Sequence, residues 1–358
     1  MIVQQNYQKD PYNALEALDE AQKLAFSPFA FQACHSLREL GILTAIDNAG
    51  KQGLSVEEIS EITNISTYGV SVLLDMGLSI GLVFKPEESF IIGKMGKFFL
   101  YDEMTRVNMD FTQEVCYQAL FHLKESILTE NPCGLKELGN WPTIYSGLSE
   151  LPGKSKAAWH DFDHHYSDRA FPVTLPLVFR DKPKWICDIG GNTGKWSLEC
   201  VKYDSEVKIT LLDLPVQTVR AKQNIKQSGF EERITCQDVN MLEPEPNIPQ
   251  GADIYWMSQF LDCFSENEII AILSNINKAM SGHSKVYIME LLWDEQPTHA
   301  AQFSLNAISL YFTVAANGNS RFYQRSVFLK LIDQAGLKVS EQINDIGPGH
   351  TLLVCQSK

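Results

Sequence analysis

The run Asp188-Ile-Gly-Gly-Asn-Thr-Gly194 constrains this chain more than any other feature. It follows the apolar stretch Trp185-Ile-Cys-Asp-Ile189 and leads into a helical pattern over 195–201. A strand that must turn at once into a helix needs backbone at positive φ. Glycine adopts that freely, and Asn192 is among the better non-glycine residues for it. Downstream, short apolar strands over 207–212, 234–237, 252–257 and 285–289 alternate with helices that include 216–226 and 266–280. This alternation predicts a doubly wound, mostly parallel sheet. A last strand pair, 337–343 and 351–355, is expected across Gly347-Pro348-Gly349. Ligands of such sheets sit beyond the strand carboxyl ends, so the glycine loop is the first candidate site; a tight turn without a ligand is the alternative.

Two carboxylates extend the pattern. Asp213 ends the second strand, 19 residues beyond Gly194, in Leu211-Leu-Asp-Leu-Pro215. An acid there accepts the ribose hydroxyls of an adenosine ligand, which suits NAD equally well. Asp238 follows the third strand in Thr235-Cys-Gln-Asp-Val-Asn-Met241, where an acceptor meets an adenine amine. Helix capping is the competing role for both.

The first hundred residues predict a different unit. Apolar residues at Phe31, Leu37, Leu40, Leu43 and Ile46 give a helical stripe over 28–48, irregular at Gly41. Ser55-Val-Glu-Glu58 reads as a capping box, and Ser66 opens a further helix carrying Val70, Leu73, Leu74 and Met76. Leu82-Val-Phe-Lys and Phe90-Ile-Ile flank a polar turn, so three helices precede a hairpin, the order of a winged helix. No Lys or Arg lies between Lys51 and Lys85. DNA binding rests on cation–phosphate contacts, so a scaffold for self-association is expected instead.

Composition narrows the partners. The chain has 358 residues and a formal charge of −14, which disfavours nucleic acid and anionic membrane surfaces. No apolar run approaches the ~20 residues of a membrane span, and residues 1–10 lack a secretory pattern. A soluble, cytoplasmic protein is expected. Its eight cysteines contain no C-x-x-C pair and read as free thiols. His160 and His164 have the one-turn spacing of a helical metal pair, but no third ligand set accompanies them, and no metal site is expected.

Together D-I-G-G-N-T-G, L-L-D-L-P and C-Q-D-V-N-M resemble the class I S-adenosylmethionine-dependent methyltransferases. The similarity is closest to the dimeric small-molecule O-methyltransferases of caffeate, flavonoid, hydroxyindole and polyketide type, and it covers nearly the whole chain. It implies a winged-helix dimerisation domain over 1–103, a helical connector over 104–170, and a Rossmann-like methyltransferase domain over 171–358. It also implies an obligate homodimer with an apolar interface, and S-adenosyl-L-methionine as cofactor. By the same resemblance, Asp188, Gly190 and Gly191 back the methionine part of that cofactor. Asp213 with Leu214 binds ribose, Asp238 with Val239 flanks adenine, and Ser258 adds a further contact. Phe162-Asp-His-His-Tyr-Ser167 resembles the family's F-N-x-x-M segment, placing Tyr166 at the substrate and Ser167 at the cofactor carboxylate. Asn317 matches a substrate-contacting asparagine, and Glu290 a carboxylate that orients the catalytic histidine.

The departures concern catalysis. Phe260-Leu-Asp-Cys-Phe-Ser265 stands where the family has H-D-W-S, so Asp262 occupies the position of the general base. A second family glutamate falls on Phe322. Taking a proton from a phenol of pKa ~10 costs a histidine about 5 kcal/mol and an unperturbed aspartate about 8. Three solutions stay open: Asp262 raised by burial beside Glu290, a base supplied by His164 or His165, or an acidic acceptor that needs no protein base. Methylation of a small aromatic or polyketide-like hydroxyl is the expected activity. Non-methylating chemistry such as decarboxylation or hydroxylation, and an inactive cofactor-binding regulator, are the alternatives.

Overall fold

The computed structural model describes residues 7 and 9–358, except for the side chain of Ser167. It divides into two compact units, the first ending at Gln113 and the second running Glu114–Lys358. The boundary falls within the expected connector. Its first ten residues join the N-terminal unit and the rest the C-terminal one.

In the first unit, α1 (Ala14–Ala25) precedes α2 (Ser27–Glu39), α3 (Ile42–Ala49), α4 (Val56–Thr63) and α5 (Thr67–Ser79). The single stripe expected over 28–48 is two helices, because Gly41 takes φ 75° between them. Ser55 and Glu58 form the expected capping box, and Ser66 caps α5. The hairpin is β1 (Val83–Phe84) against β2 (Ile91–Ile92), followed by α6 (Lys94–Tyr101) and α7 (Glu103–Phe111). Leu37, Leu43, Ile46, Ile59, Leu74 and Leu82 close its core. By contrast α1 buries none of its residues and leaves Leu15, Leu18 and Leu24 exposed.

The second unit begins with α8 (Leu123–Thr129), α9 (Ile144–Gly147), α10 (Gly153–Ser167) and α11 (Phe171–Val178). Then come β3 (Trp185–Ile189), α12 (Lys195–Tyr203), β4 (Lys208–Asp213), α13 (Pro215–Ser228), β5 (Ile234–Asp238) and β6 (Ile254–Ser258). They continue as α14 (Glu266–Ala279), β7 (Lys285–Glu290), α15 (His299–Tyr311), α16 (Arg325–Gln334), β8 (Leu337–Ile346) and β9 (His350–Ser357). The seven strands are ordered β5-β4-β3-β6-β7-β9-β8. β3 to β7 are parallel, and β9 is antiparallel to both its neighbours. Ile186 faces a core with α11, α12 and α13, while Cys187 and Ile189 face one with α14 and α16, so the sheet is covered on both sides. The strand order reverses between β3 and β6, which opens a crevice at their carboxyl ends. No described helix is long and apolar enough to cross a membrane.

Candidate functional site

The glycine loop turns as its composition requires. Gly190 and Gly194 take φ 72° and 81°, and Asn192 takes φ 49°. A Cβ on Gly190 would stand 2.3 Å from the Phe260 ring, and one on Gly191 would stand 2.5 Å from Leu211. Neither position has room for a side chain. The loop therefore presses flat against the sheet and leaves its outer face open.

That face borders a cleft of about 550 Å³, counted out to open solvent. Gly190, Gly191, Asn192 and Thr193 form one wall, and Ser258 with Gln259, from the end of β6, another. Asp163, His164 and Asp168, from the end of α10 and the turn after it, face in with Lys195. Trp196 and Trp256 stack at 4.2 Å beneath, with Phe171 tilted against Trp196. Asp188 is 2 % exposed, and its Oδ2 accepts the Ser197 hydroxyl at 2.5 Å. Burial pushes its pKa up to about 7. Two further buried groups, the Trp196 Nε1–H and the Ser258 hydroxyl, have no partner among the described residues. Orphaned polar atoms beside an open cleft are what a polar ligand would satisfy.

Of the expected cofactor contacts, Asp188, Gly190, Gly191 and Ser258 line the cleft. Asp213 does not. Its Oδ2 accepts the Asn192 N–H at 2.8 Å and its Oδ1 the Leu214 N–H at 2.7 Å, so it braces the loop from behind. Leu214, half-exposed, is the N-cap of α13 without a side-chain bond, so neither residue caps that helix by its side chain. Asp238 lies half in solvent, accepts the Thr218 hydroxyl and stands 3.6 Å from Lys222. Val239 is 7 % exposed and packs in the core with Leu212 and Met241. The side chain of Ser167 lies outside the described residues.

A second cluster gathers behind β6. Asp262, in the short turn Leu261–Cys263, is 6 % exposed, and Glu290, ending β7, is 2 % exposed. Glu290 Oε1 accepts the Phe260 and Leu261 N–H groups at 3.0 and 2.8 Å, which ties the turn to the sheet. Burial, then the charge of Asp163, pushes Asp262 up to about 7. Burial, then Asp262, holds Glu290 well above the usual carboxylate range. The two acids are thus neighbours across the turn that Glu290 holds. Asp163, a cleft residue, links the pair electrostatically to the cleft.

The remaining residues fall elsewhere. His164 points Nδ1 at Lys195 (3.2 Å) and Asp168 (3.8 Å). His165 is buried, edge-on to the ring of Tyr166, which packs on Phe162. The expected substrate contact Asn317 spends its amide inside the protein, giving Nδ2–H to the Cys263 carbonyl at 2.6 Å and accepting the Ser320 hydroxyl at 2.8 Å. It clamps the Asp262 turn. Phe322 meets Phe312 at 5.3 Å in a buried aromatic contact. Among the described residues no cluster fit to hold a metal ion is present.

Sequence reasoning missed Asp168, Phe171, Lys195, Trp196, Trp256 and Gln259 as cleft residues. Lys195 and Trp196 directly follow the glycine loop and were findable from that position alone. Gln259 carries φ 47° and bonds His350 Nε2 at 2.7 Å, a long-range contact no local pattern announces.

Residues 180–338 match the O-methyltransferase domain family, and residues 19–90 the Dimerisation2-like domain. The mitomycin biosynthesis 6-O-methyltransferase of Streptomyces lavendulae is 26% identical over 156 residues, 44% of this chain and 42% of that protein. The match thus spans less than half the length of this relative. Among solved structures, the S-adenosylmethionine-dependent methyltransferase SibL superposes with TM-score 0.72 at 20% identity, covering 95% of this chain and 99% of that one. The O-methyltransferase NcsB1 from neocarzinostatin biosynthesis, solved with S-adenosylmethionine and 2-hydroxy-5-methyl naphthoic acid, gives 0.68 at 16%, covering 98% and 100%. Both likenesses concern the fold.

Proposed function

We propose that this chain, a member of the S-adenosylmethionine-dependent O-methyltransferase family with a Dimerisation2-like N-terminal domain, methylates a hydroxyl of a small aromatic or polyketide-like molecule. The observation that carries the reading is the cleft at the β3/β6 switch point, walled by a glycine loop and bordered by unsatisfied buried polar groups. These residues fit S-adenosyl-L-methionine. When bound, that cofactor supplies an electrophilic methyl group. Asp188, Gly190, Gly191 and Ser258 would hold its methionine part, and Asp213 would reach ribose only after yielding some of its bonding to the loop. Asp238, half in solvent, suits the adenine edge.

The aromatic acceptor is supported by the mitomycin-biosynthesis relative and by the naphthoic acid bound in the NcsB1 neighbour. Asp262 would take the acceptor's hydroxyl proton. At a pKa of about 7 the gap to a phenol shrinks to about 3 units, or ~4 kcal/mol, close to what a histidine leaves. Glu290 and Asn317 act through the turn they anchor rather than on substrate. His164, held by Lys195 and Asp168, is the weaker candidate base, as is the buried His165. Positioning would supply most of the acceleration. The exposed apolar face of α1 supports a homodimer through the N-terminal unit. Nucleic acid is not an expected partner, because α5 contains no Lys or Arg, and a cytoplasmic location suits the free cysteines.

Calorimetry tests the core of this reading. Purified protein should bind S-adenosylhomocysteine, and Asp213→Ala should weaken it by ~1.5–3 kcal/mol. NAD binding in its place would overturn the family reading. Acceptor consumption without S-adenosylhomocysteine release would move the chemistry to a non-methylating class.

A further inference from the structure

The end of β6 is held by a side chain from the last strand of the fold. Gln259 lines the cleft and takes φ 47°, left-handed backbone that costs a residue with a Cβ conformational free energy. It leads directly into Phe260 and the Leu261–Cys263 turn that carries Asp262. Glutamine does not choose that backbone by itself, so its surroundings must hold it there. One hold is local: Gln259 gives its N–H to the Met289 carbonyl at 2.9 Å, where β7 runs beside β6. The other is His350, which opens β9, is 0 % exposed, and gives its Nε2–H to Gln259 Oε1 at 2.7 Å. Burial holds this imidazole down at about 4, so at neutral pH it is uncharged and has one N–H to give. His350 is itself fixed. The residue before it, Gly349 at φ 111°, has no room for a Cβ, which would stand 2.4 Å from Gln296 Oε1. Gln296, 1 % exposed, bonds the Gly349 carbonyl through Nε2–H at 3.0 Å.

We propose that His350 is a positioning residue: through Gln259 it holds the left-handed start of the Asp262 turn and, with it, one wall of the cleft. Its consequence for catalysis rests on the reading of Asp262 as the base and of the cleft as the cofactor site. Glycine takes positive φ freely, so Gln259→Gly should make His350 dispensable to the turn.

Hydrogen exchange followed by mass spectrometry reads the turn directly, because the Phe260 and Leu261 N–H groups are bonded to Glu290. In His350→Leu, exchange over residues 259–263 should quicken about tenfold, the size of one buried hydrogen bond, with β3 and β4 exchanging as in the parent. Gln259→Met cuts the same bond from the cleft side, leaves the core intact and should quicken it similarly. His350→Gln, which can still offer an N–H, should restore most of the protection. In Gln259→Gly, whatever that change does alone, adding His350→Leu should alter exchange less than about twofold. By titration calorimetry, S-adenosylhomocysteine should bind His350→Leu about threefold or more weakly. Unchanged exchange in both His350→Leu and Gln259→Met overturns the proposal, and so does an equal effect of His350→Leu in the parent and in Gln259→Gly. Faster exchange throughout the sheet also overturns it, since that marks a destabilised fold. Faster exchange in the turn with parent-like affinity overturns the part assigned to His350 in the cleft. A parent chain that does not bind S-adenosylhomocysteine removes the cofactor reading instead, and the exchange data still decide the coupling.

Discussion

The loop after β3 and the turn after β6 occupy equivalent places, side by side at the carboxyl ends of neighbouring parallel strands, yet they are built on opposite principles. In the loop the backbone does the shaping. Positive φ at Gly190, Asn192 and Gly194, with no space for a Cβ at Gly190 or Gly191, leaves the chain one way to run. In the turn the side chains matter, and their properties come from surroundings. Asp262 is an ordinary carboxylate by sequence, and only burial beside Glu290 and near Asp163 turns it into a group that holds its proton to about pH 7. Geometry of the first kind is local. Acidity of the second kind is a property of the whole fold.

The sharpest way to break this contrast is Asp262→Asn, which keeps the shape of the turn and removes its acid. Single-turnover methyl transfer should fall by ~10²–10⁴-fold with cofactor affinity nearly unchanged. Full turnover in that variant, with loss in His164→Ala or His165→Ala, would move the base to α10. Activity in all three would point to an acidic acceptor and no protein base.

Gly190→Ala probes the other side. The added methyl meets the Phe260 ring and sits at φ 72°, so steric strain and displacement of the ring add together. Urea unfolding should report a loss of about 2–4 kcal/mol, and S-adenosylhomocysteine binding should weaken with it. A neutral substitution would show that the loop is softer than its backbone angles imply.

Asp188 lies where the two principles meet, a buried acid at the start of the loop. The folded chain keeps its proton to about pH 7, while the unfolded carboxyl releases it near 3.8. Between those values the unfolded state binds fewer protons, so this residue makes stability fall as pH rises. Asp188→Asn removes that dependence. Relative to the parent, the variant should gain about 1.4 kcal/mol for each pH unit between 5 and 7 in urea titrations. A constant difference across that range would show that Asp188 is already ionised.

Much of the fold was legible because its signals are local. Alternating apolar runs gave the strands, Ser55 with Glu58 gave a cap, and Gly41 gave an irregularity that the structure turns into a full break between two helices. The candidate site divided differently. Asp188, Gly190, Gly191 and Ser258 stand at strand ends, which a sequence pattern can place, and they line the cleft. Val239, Asn317 and Phe322 have partners that no motif announces, a core cluster, the Cys263 carbonyl and the Phe312 ring, since a residue's place in a motif does not say which way its side chain faces.

The sequence by itself determined where the chain must turn and which strands must lie parallel, since steric limits on φ and the period of apolar residues act over a few neighbours. Tertiary structure alone decided what stands around those turns. Asp168 and Phe171 reach the cleft from before β3, His350 reaches Gln259 across 91 positions, and Asp262 meets Glu290 from the next strand. Proton affinity and hydrogen-bond satisfaction depend on what is near in space, and nearness of that kind exists only once the sheet has closed.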